Sequence, residues 1–228
     1  MKVVVSVGGS VLAPDLEPDR VANYGAAIQS LEDAGHTIGA VVGGGPTARK
    51  YITSARELGA NEIELDQLGI AVTRLNGRLL ISALDDRAAR TPAESYDEGR
   101  EAIRRGDIPV LGGIVAAQTT DAVAAAFAEY VGADLLVYAT SVDGVYDADP
   151  KNDPEAARFD RLSASELVDV IADMEMNAGA NAPVDLLAAK VIQRSGITSV
   201  VLDGTDPERV VRAVESDEFE GTKIVPEA

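Results

Sequence analysis

Two short stretches rich in valine each lead directly into consecutive glycines. Residues 3–7 (VVVSV) precede Gly8-Gly9-Ser10, and residues 40–42 (AVV) precede Gly43-Gly44-Gly45. Helix-like sequence follows both glycine runs, so we predict two strand-to-helix turns. Glycine lets backbone N–H groups approach a ligand closely, and a helix N-terminus favours anions. The pair of loops therefore indicates one site for two phosphate-bearing ligands, with two ordinary glycine-containing turns as the alternative.

The composition excludes several kinds of site. The chain has 228 residues, 46% of them hydrophobic, which suits one large α/β domain or two closely joined lobes. It contains no cysteine, so disulfides and thiolate chemistry are excluded. Its only histidine, His36, lies in a predicted turn, which excludes multi-histidine metal sites and argues against a Ser-His-Asp triad. No apolar run has the length of a membrane span, and no signal-peptide pattern precedes the first strand.

The charge balance is strongly acidic. There are 38 acidic residues against 20 basic ones, a net charge of −18, which disfavours contact with nucleic-acid backbones. The acidic residues are spread along the chain, and only five of the 20 cations are lysine. This pattern is typical of a protein adapted to high salt, where screening removes self-repulsion. We therefore expect neither a nucleic-acid nor a membrane partner.

Strand and helix patterns alternate along the chain. We predict strands over residues 3–7, 37–42, 108–111, 135–138 and 198–202, with a last short strand at 224–225. We predict helices over residues 20–34, 46–58, 66–84, 95–105, 121–131, 163–173, 184–195 and 207–216, with residues 143–154 as a loop. Asp206 is a predicted N-cap before Pro207, and Gly35 a predicted helix end. This order indicates an α/β fold with parallel strands, helices on both faces and one continuous sheet.

Five segments in order give the chain a family resemblance. They are Gly8-Gly9-Ser10, Gly43-Gly44-Gly45, Asp66 with Thr73-Arg74-Leu75-Asn76, Thr119-Thr120-Asp121-Ala122-Val123-Ala124, and residues 140–150 (TSVDGVYDADP). Together they resemble the amino acid kinase family, and within it the uridylate (UMP) kinases, particularly the archaeal branch. The resemblance spans nearly the whole chain and ends at residues 185–190.

The resemblance implies an αβα sandwich with a mainly parallel central sheet. It implies a single amino acid kinase domain over residues 1–228, with an acceptor (UMP) lobe over about 1–130 and an ATP lobe over 131–228. The positions matching ATP contacts are Gly9, Ser10, Gly45, Arg49, Thr140, Tyr146 and Asp149. The positions matching UMP contacts are Gly44, Asp66, Ile114, Val115, Ala116, Ala117, Gln118, Thr119 and Thr120. Asp121 and Arg49 match catalytic positions, and no residue matches a dedicated metal ligand.

Each of these side chains has a simpler interpretation from the residues alone. Arg49 could also be a solvated cation on the surface of a helix, although its planar guanidinium could form two hydrogen bonds with one phosphate. Asp66 also suits an N-cap for the helix predicted to follow it. Asp121 opens a helix, where a carboxylate complements the dipole. Tyr146 lies in an acidic turn-rich loop and would pack either against a base or as a half-buried anchor.

The chain departs from the wider family at its first loop. Many members of this fold carry a lysine there, whereas this chain reads Ser6-Val7-Gly8-Gly9-Ser10. The archaeal UMP kinases also lack that lysine, so the departure agrees with the subfamily. Lys190 is the candidate for a second lysine in the C-terminal lobe. The resemblance therefore assigns most of the charge stabilisation to Arg49, the glycine loops and Mg²⁺.

The implied activity is transfer of the ATP γ-phosphate to UMP, giving UDP and ADP in pyrimidine nucleotide (CTP) biosynthesis. UMP is largely dianionic at pH 7, so no general base is required. The resemblance also implies ATP with Mg²⁺, a cytoplasmic location and a homo-oligomer, a hexamer in this family. The alternatives are a sister kinase acting on isopentenyl phosphate, carbamate or an amino-acid carboxylate, and a noncatalytic nucleotide sensor. A dinucleotide-binding oxidoreductase is disfavoured because neither glycine run has G-x-G-x-x-G spacing.

Overall fold

A seven-stranded sheet forms the centre of the molecule. The computed structural model describes residues 1–148, 150, 153–176, 183–216 and 219–227. The strands are β1 (Lys2–Val7), β2 (Thr37–Val42), β3 (Val110–Leu111), β4 (Leu135–Thr140), β5 (Arg161–Ser163), β6 (Thr198–Asp203) and β7 (Thr222–Val225). Their order in the sheet is β3-β2-β1-β4-β6-β7-β5. Strands from both halves of the chain therefore share one sheet.

Nine α-helices connect the strands in the described ranges. They are α1 (Gly9–Leu12), α2 (Pro18–Asp33), α3 (Gly45–Glu57), α4 (Glu62–Leu84), α5 (Tyr96–Arg105), α6 (Thr120–Val131), α7 (Ala164–Met176), α8 (Leu186–Ser195) and α9 (Glu208–Glu215). A 3₁₀ turn, Asp85–Arg87, follows α4. None of these helices is long and apolar enough to cross a membrane, as far as the described residues go.

The valine-rich strands are buried on both faces of the sheet. One face carries Val4 and Leu136 and packs against α6, α7 and α8. The opposite face carries Val3 and Val5 and packs against α1, α2, α4 and α9. Because side chains alternate across a strand, continuous β-branched runs supply both cores at once. The predicted α/β fold with helices on both faces is confirmed.

The mainly parallel sheet that was predicted is confirmed, and the antiparallel pairing among the described strands lies at the end of the chain. β7 runs antiparallel to β6 and parallel to β5. After α9 the chain turns closely against β6, since a Cβ on Gly221 would lie 2.4 Å from the carbonyl oxygen of Val201. A hydrophobic pattern does not encode the direction in which β7 pairs with β6. β5 and the bounds of α1 were not predicted because three- and four-residue elements carry little periodicity, although the sequence after the first glycine run indicated a strand-to-helix turn there.

Two predicted helix starts are shifted. α4 begins at Glu62 with Asn61 as its N-cap, in a capping box completed by Glu64. Asp66 therefore lies one turn inside the helix, and its predicted N-cap role is wrong. At α9 the N-cap is Pro207 rather than Asp206, although the Asp206 carboxylate accepts a hydrogen bond from the Glu208 nitrogen at 3.1 Å. Gly35 ends α2 as predicted, with a φ of 89°.

Candidate functional site

A cavity of about 340 Å³ opens at the carboxyl ends of β1, β2 and β4. The connections from β1 go through β2 to β3 on one side, and the chain then crosses to β4 on the other side. Ligands of open α/β sheets bind at such a switch point. The lining comprises Ser6, Gly8, Gly9, Ser10, Gly43, Gly44, Gly45, Arg49, Thr120, Asp121, Ala139, Thr140, Ser141, Val142, Gly144, Tyr146, Pro150, Met174 and Pro183. We call this space the central cavity.

The two glycine loops touch each other along the cavity wall. A Cβ on Gly9 would lie 2.3 Å from the nitrogen of Gly45 and 2.4 Å from the oxygen of Gly43. Gly45 also has a φ of 61°, which favours glycine. α1 and α3 start in these loops, and neither has a side-chain cap. Their first N–H groups are therefore available to an anion in the cavity.

Arg49 supplies the positive charge of the cavity. It lies in α3, one turn after Gly45, and it is the one cation among the described lining residues. Its side chain is exposed and makes no ion pair or hydrogen bond with the described parts of the chain. Most other arginines of this acidic protein are paired, as Arg56 is with Glu62 at 2.9 Å. A guanidinium left without a carboxylate partner beside two glycine loops suits a phosphate.

Asp121 faces the same space from the start of α6. Burial raises the pKa of Asp121 to about 7, the nearby charge of Asp185 adds to the rise, and a 3.4 Å hydrogen bond from Ser6 Oγ opposes it. The backbone oxygen of Asp121 also accepts a hydrogen bond from the Tyr138 hydroxyl at 3.0 Å. A carboxyl poised near neutral pH in a cleft is a typical feature of functional sites.

Asp185 joins α6 to α8 next to Asp121. Its Oδ1 accepts from the nitrogen of Ala188 at 2.9 Å and so caps α8, while its Oδ2 accepts from the Thr119 hydroxyl. Thr119 in turn caps α6 by accepting from the Ala122 nitrogen at 3.1 Å. The two helix starts are therefore fastened together where the cavity wall is formed.

The β4 side of the cavity is built from residues 140–146. The Thr140 hydroxyl accepts from the nitrogen of Val142 at 3.1 Å and shapes the turn after β4. The Tyr146 hydroxyl donates to Asp143 at 2.7 Å, and Arg158 binds the same carboxylate at 3.0 Å. Burial raises the pKa of Asp143, but the hydrogen bonds from Tyr146 and Arg158 outweigh it and leave that pKa below its usual range. This network holds the Tyr146 ring at the cavity wall.

The loop between β3 and α6 lies beside the cavity. Asp66 Oδ2 accepts a hydrogen bond from the nitrogen of Ala117 at 2.7 Å. Ala117 has a φ of 66°, an uncommon conformation for a residue with a Cβ. The loop is thus fixed at its middle by a carboxylate of α4 and at its end by Thr119.

Known proteins match this arrangement over the whole chain. The model of the amino acid kinase family matches residues 1–203. The chain belongs to the amino acid kinase family. The uridylate kinase of Haloarcula marismortui is 82% identical over 228 residues, covering 100% of both chains. That of Halobacterium salinarum is 63% identical over 227 residues, covering 100% of this chain and 94% of its own.

A solved member of the family has the same architecture. The crystal structure of uridylate kinase from Archaeoglobus fulgidus superposes with a TM-score of 0.90 at 45% identity, covering 99% of this chain and 100% of that one. The fold of the amino acid kinases, inferred from five segments, is therefore confirmed.

The structure brings many of the predicted site residues into the central cavity. Those that line it are Gly9, Ser10, Gly44, Gly45, Arg49, Thr120, Asp121, Thr140 and Tyr146. Asp66 and residues 114–119 do not line it but form or fasten the adjoining loop. Asp149 lies outside the described residues. Lys190 is exposed on α8 and does not line the cavity.

Some lining residues were not predicted from the sequence. Ser6 is 4% exposed in a strand whose other residues are almost all valine. A single hydroxyl in such a strand is a signal that the sequence did carry. Met174 and Pro183 had no comparable signal, because only the fold brings their segments to the cavity, whereas Ser141 lies in the 140–150 segment that carries the resemblance.

The donor set fits a metal ion that arrives with a nucleotide. Asp121 is the one carboxylate among the described lining residues, and no group of three or more candidate ligands occurs elsewhere in the described chain. Mg²⁺ in phosphoryl-transfer sites is held by one or two carboxylates together with substrate phosphates and water. The cavity therefore suits Mg²⁺ as part of the substrate ATP·Mg²⁺.

Proposed function

We propose that this protein transfers the γ-phosphate of ATP to UMP, giving UDP and ADP. The observation that carries the proposal is full-length 82% identity to a uridylate kinase, together with a cavity in which two glycine loops meet. Its product would enter pyrimidine nucleotide (CTP) biosynthesis in the cytoplasm. The reaction needs two anionic ligands in one cleft, and the cavity offers two helix starts and one arginine to them.

The chemistry requires positioning and charge stabilisation rather than proton abstraction. The UMP phosphate is largely dianionic at pH 7, so one of its oxygens attacks the γ-phosphorus directly and ADP leaves. Arg49 and the N–H groups of Gly9, Ser10 and Gly45 stabilise the negative charge that spreads over the transferring oxygens. Mg²⁺, bound to the ATP phosphates, neutralises further charge there. Asp121, which also lines the cavity, orients these groups.

The two substrates would approach from opposite sides of the glycine loops. We assign ATP to the 131–228 lobe, where Thr140 and Tyr146 face the cavity, with Asp149 as a further contact by resemblance. We assign UMP to the 1–130 lobe. Its contacts would be Gly44, Asp66 and the segment 114–120. The phosphates then meet between the two glycine loops.

A substrate panel tests the proposal. Coupled ADP release is measured with ATP·Mg²⁺ and UMP, CMP, dCMP or isopentenyl phosphate, and the nucleotide product is identified by chromatography. We expect turnover with UMP and formation of UDP. Preferred turnover of isopentenyl phosphate would indicate a sister kinase instead. Nucleotide binding without turnover of any acceptor would indicate a sensor.

We also propose that the protein is a homo-oligomer, with a hexamer as the expected form. The α3–α4 surface supports contact between copies. Residues 36–84 contain five cationic and four acidic residues, whereas the rest of the chain contains 15 and 34. Two copies that repel each other elsewhere can meet on this surface. It also exposes five large apolar side chains, namely Tyr51, Leu58, Ile63, Leu75 and Leu79.

Light scattering after size exclusion tests this assembly. We expect the mass of a hexamer for the parent and a smaller species for the double variant Leu75→Glu, Leu79→Glu. Leu187→Glu is the matched control, because Leu187 is equally an exposed leucine but lies on α8. A monomeric parent would contradict the proposal, and an unchanged mass in the double variant would exclude this surface.

A further inference from the structure

Three polar side chains of α4 lie along one side of the helix. Asp66, Thr73 and Asn76 are seven and then three residues apart, spacings that return to the same side of a helix with 3.6 residues per turn. Each one binds the backbone of a loop that borders the central cavity. The contacts of Thr73 and Asn76 lie deeper in the protein.

Asn76 holds the second glycine loop. Its side chain is 2% exposed, and Nδ2 donates to the oxygen of Gly43 at 2.9 Å and to that of Gly44 at 3.3 Å. Glycine offers no side chain with which the loop can fix itself. Within the described ranges, Asn76 supplies the side-chain hydrogen bonds that these two carbonyls receive. These hydrogen bonds from a buried amide fix the distance between the loop and α4.

Thr73 holds the start of the loop between β3 and α6. Its side chain is 6% exposed, and Oγ1 accepts from the nitrogen of Gly113 at 2.7 Å while donating to the oxygen of Ile70 at 2.7 Å. A Cβ on Gly112 would lie 2.5 Å from the same Oγ1. The local bond to Ile70 is common for threonine in helices, but the bond to Gly113 joins residues 40 positions apart. Glycine at position 112 therefore leaves the room that the Thr73 hydroxyl occupies.

We propose that Thr73 and Asn76 are positioning residues that set the two substrate loops relative to each other through one rigid helix. Thr73 is 6% and Asn76 2% exposed, and neither lines the central cavity, so each acts through the loop that it binds. Asn76 sets the loop that precedes Arg49, and Thr73 sets the loop that we assign to UMP. The inference rests on the proposed function for its kinetic consequences, whereas its structural content stands on the hydrogen bonds alone.

The two residues have different expected effects. Thr73→Val keeps the size of the side chain and removes the acceptor for Gly113, so the KM for UMP rises roughly three- to tenfold. The KM for ATP stays within about twofold, because the second glycine loop keeps its bond to Asn76. Asn76→Leu removes the donor to Gly43 and Gly44. It raises both KM values and lowers kcat, since Arg49 moves with that loop.

Two matched variants separate positioning from general loss of stability. Thr73→Ser retains the hydroxyl and restores the KM for UMP to near the parent value. Val72→Ala removes buried methyl groups from the neighbouring position of α4 without touching a loop hydrogen bond. It lowers the melting temperature and leaves both KM values unchanged. If Asn76→Leu does not fold, the Thr73 pair decides the question.

Amide hydrogen exchange tests the proposal independently of activity. In Thr73→Val, the Gly113 amide exchanges faster, with Thr73→Ser close to the parent and Val72→Ala faster only where α4 packs. Faster exchange with a selective rise in the KM for UMP supports the proposal. Unchanged exchange at Gly113, or equal rises in both KM values for Thr73→Val, overturns it. A parent without UMP-dependent turnover refutes the proposed function, and the exchange result alone then judges the positioning role.

Discussion

Gly9 and Gly45 stand so close that a Cβ on Gly9 would lie 2.3 Å from the Gly45 nitrogen. The primary reason for glycine at these positions is therefore that the two loops contact each other. The approach of a phosphate to their N–H groups is a second consequence of the same geometry. Gly9 and Gly45 are far apart in sequence, yet each must be glycine because the backbone of the other leaves no room for a Cβ.

The contact predicts that Gly9→Ala damages the site. The added methyl group has backbone as its neighbour, so one loop must shift. We expect loss of most activity and a lower melting temperature, with about 1 to 3 kcal/mol of destabilisation from overpacking. Gly69→Ala is the control, because Gly69 lies within α4 and its Cβ would meet only Ile52 at 3.6 Å. That variant should keep its activity and should keep or slightly raise its melting temperature, because alanine is favoured over glycine inside a helix; an active, stable Gly9→Ala would refute the tight contact.

Arg49→Ala should separate activity from stability. The guanidinium has no partner in the described chain, so its removal costs the free protein little. Loss of one charge-assisted bond to phosphate should cost about 1.5 to 3 kcal/mol of transition-state binding, roughly ten- to a hundredfold in kcat/KM. Lys50→Ala, the adjacent exposed cation outside the cavity lining, should match the parent. Steady-state kinetics at saturating and limiting ATP measure both, and unchanged kinetics in Arg49→Ala would exclude the phosphate role.

Asp121 should make stability depend on pH. Its pKa rises from 3.8 to about 7 on folding, chiefly because of burial. Between those values the folded state holds a proton that the unfolded state has released, so stability falls as pH rises from about 4 to 7. Thermal melts from pH 5 to 8 should show Asp121→Asn gaining stability over the parent as pH rises. Asp19→Asn, at an exposed position outside the cavity, should follow the parent.

The same substitution should lower turnover although it stabilises the fold. In the proposed mechanism the Asp121 carboxylate orients groups on the phosphoryl path, and Asn cannot carry that charge, so kcat should fall while the melting temperature at pH 8 rises. A parent and an Asp121→Asn variant with equal pH slopes in the melts would show that the Asp121 pKa lies near its ordinary value.

Asp66→Asn and Asp66→Ala should differ. The capping explanation is excluded because Asn61 caps α4. Asn still offers an oxygen to the Ala117 nitrogen, so Asp66→Asn should retain the loop and lose only acceptor capacity toward the UMP ribose. Its KM for UMP should rise by a factor that corresponds to about 1.5 to 3 kcal/mol, with the ATP KM nearly unchanged. The mutation should affect dUMP less than UMP if the 2′ hydroxyl is the partner.

Asp66→Ala removes both contacts and should also increase hydrogen exchange at Ala117. Equal KM values for UMP in parent and Asp66→Asn would mean that Asp66 serves only to fasten the loop.

Salt should stabilise the protein. The net charge of −18 is spread over the surface, and the Debye length falls from about 30 Å at 0.01 M salt to about 3 Å at 1 M. Ion pairs such as Arg56–Glu62 and Arg104–Glu101 are largely exposed, so screening them by salt costs the folded protein little stability. The melting temperature should therefore rise between dilute buffer and molar KCl. A flat melting temperature across that range would refute the salt-adapted interpretation.

The sequence by itself determined the class of fold and the location of the glycine loops. Continuous valine runs followed by helical periodicity predicted β1, β2 and the helices on both faces, because those signals are local in the chain. The order of five segments indicated the family. Arg49 and Asp121 were also named from the sequence, and both face the central cavity.

The tertiary structure decided the features that depend on contacts between distant residues. The start of α4 is not among them, because the capping box of Asn61 and Glu64 is a local pattern, although we placed the start at Asp66. The alternation of strands and helices implied parallel pairing, whereas β7 runs antiparallel to β6. The bonds of Thr73 to Gly113 and of Asn76 to Gly43 join positions 40 and 33 residues apart. Such pairings arise only after the sheet has brought the loops onto α4, which is why no periodicity or motif predicted them.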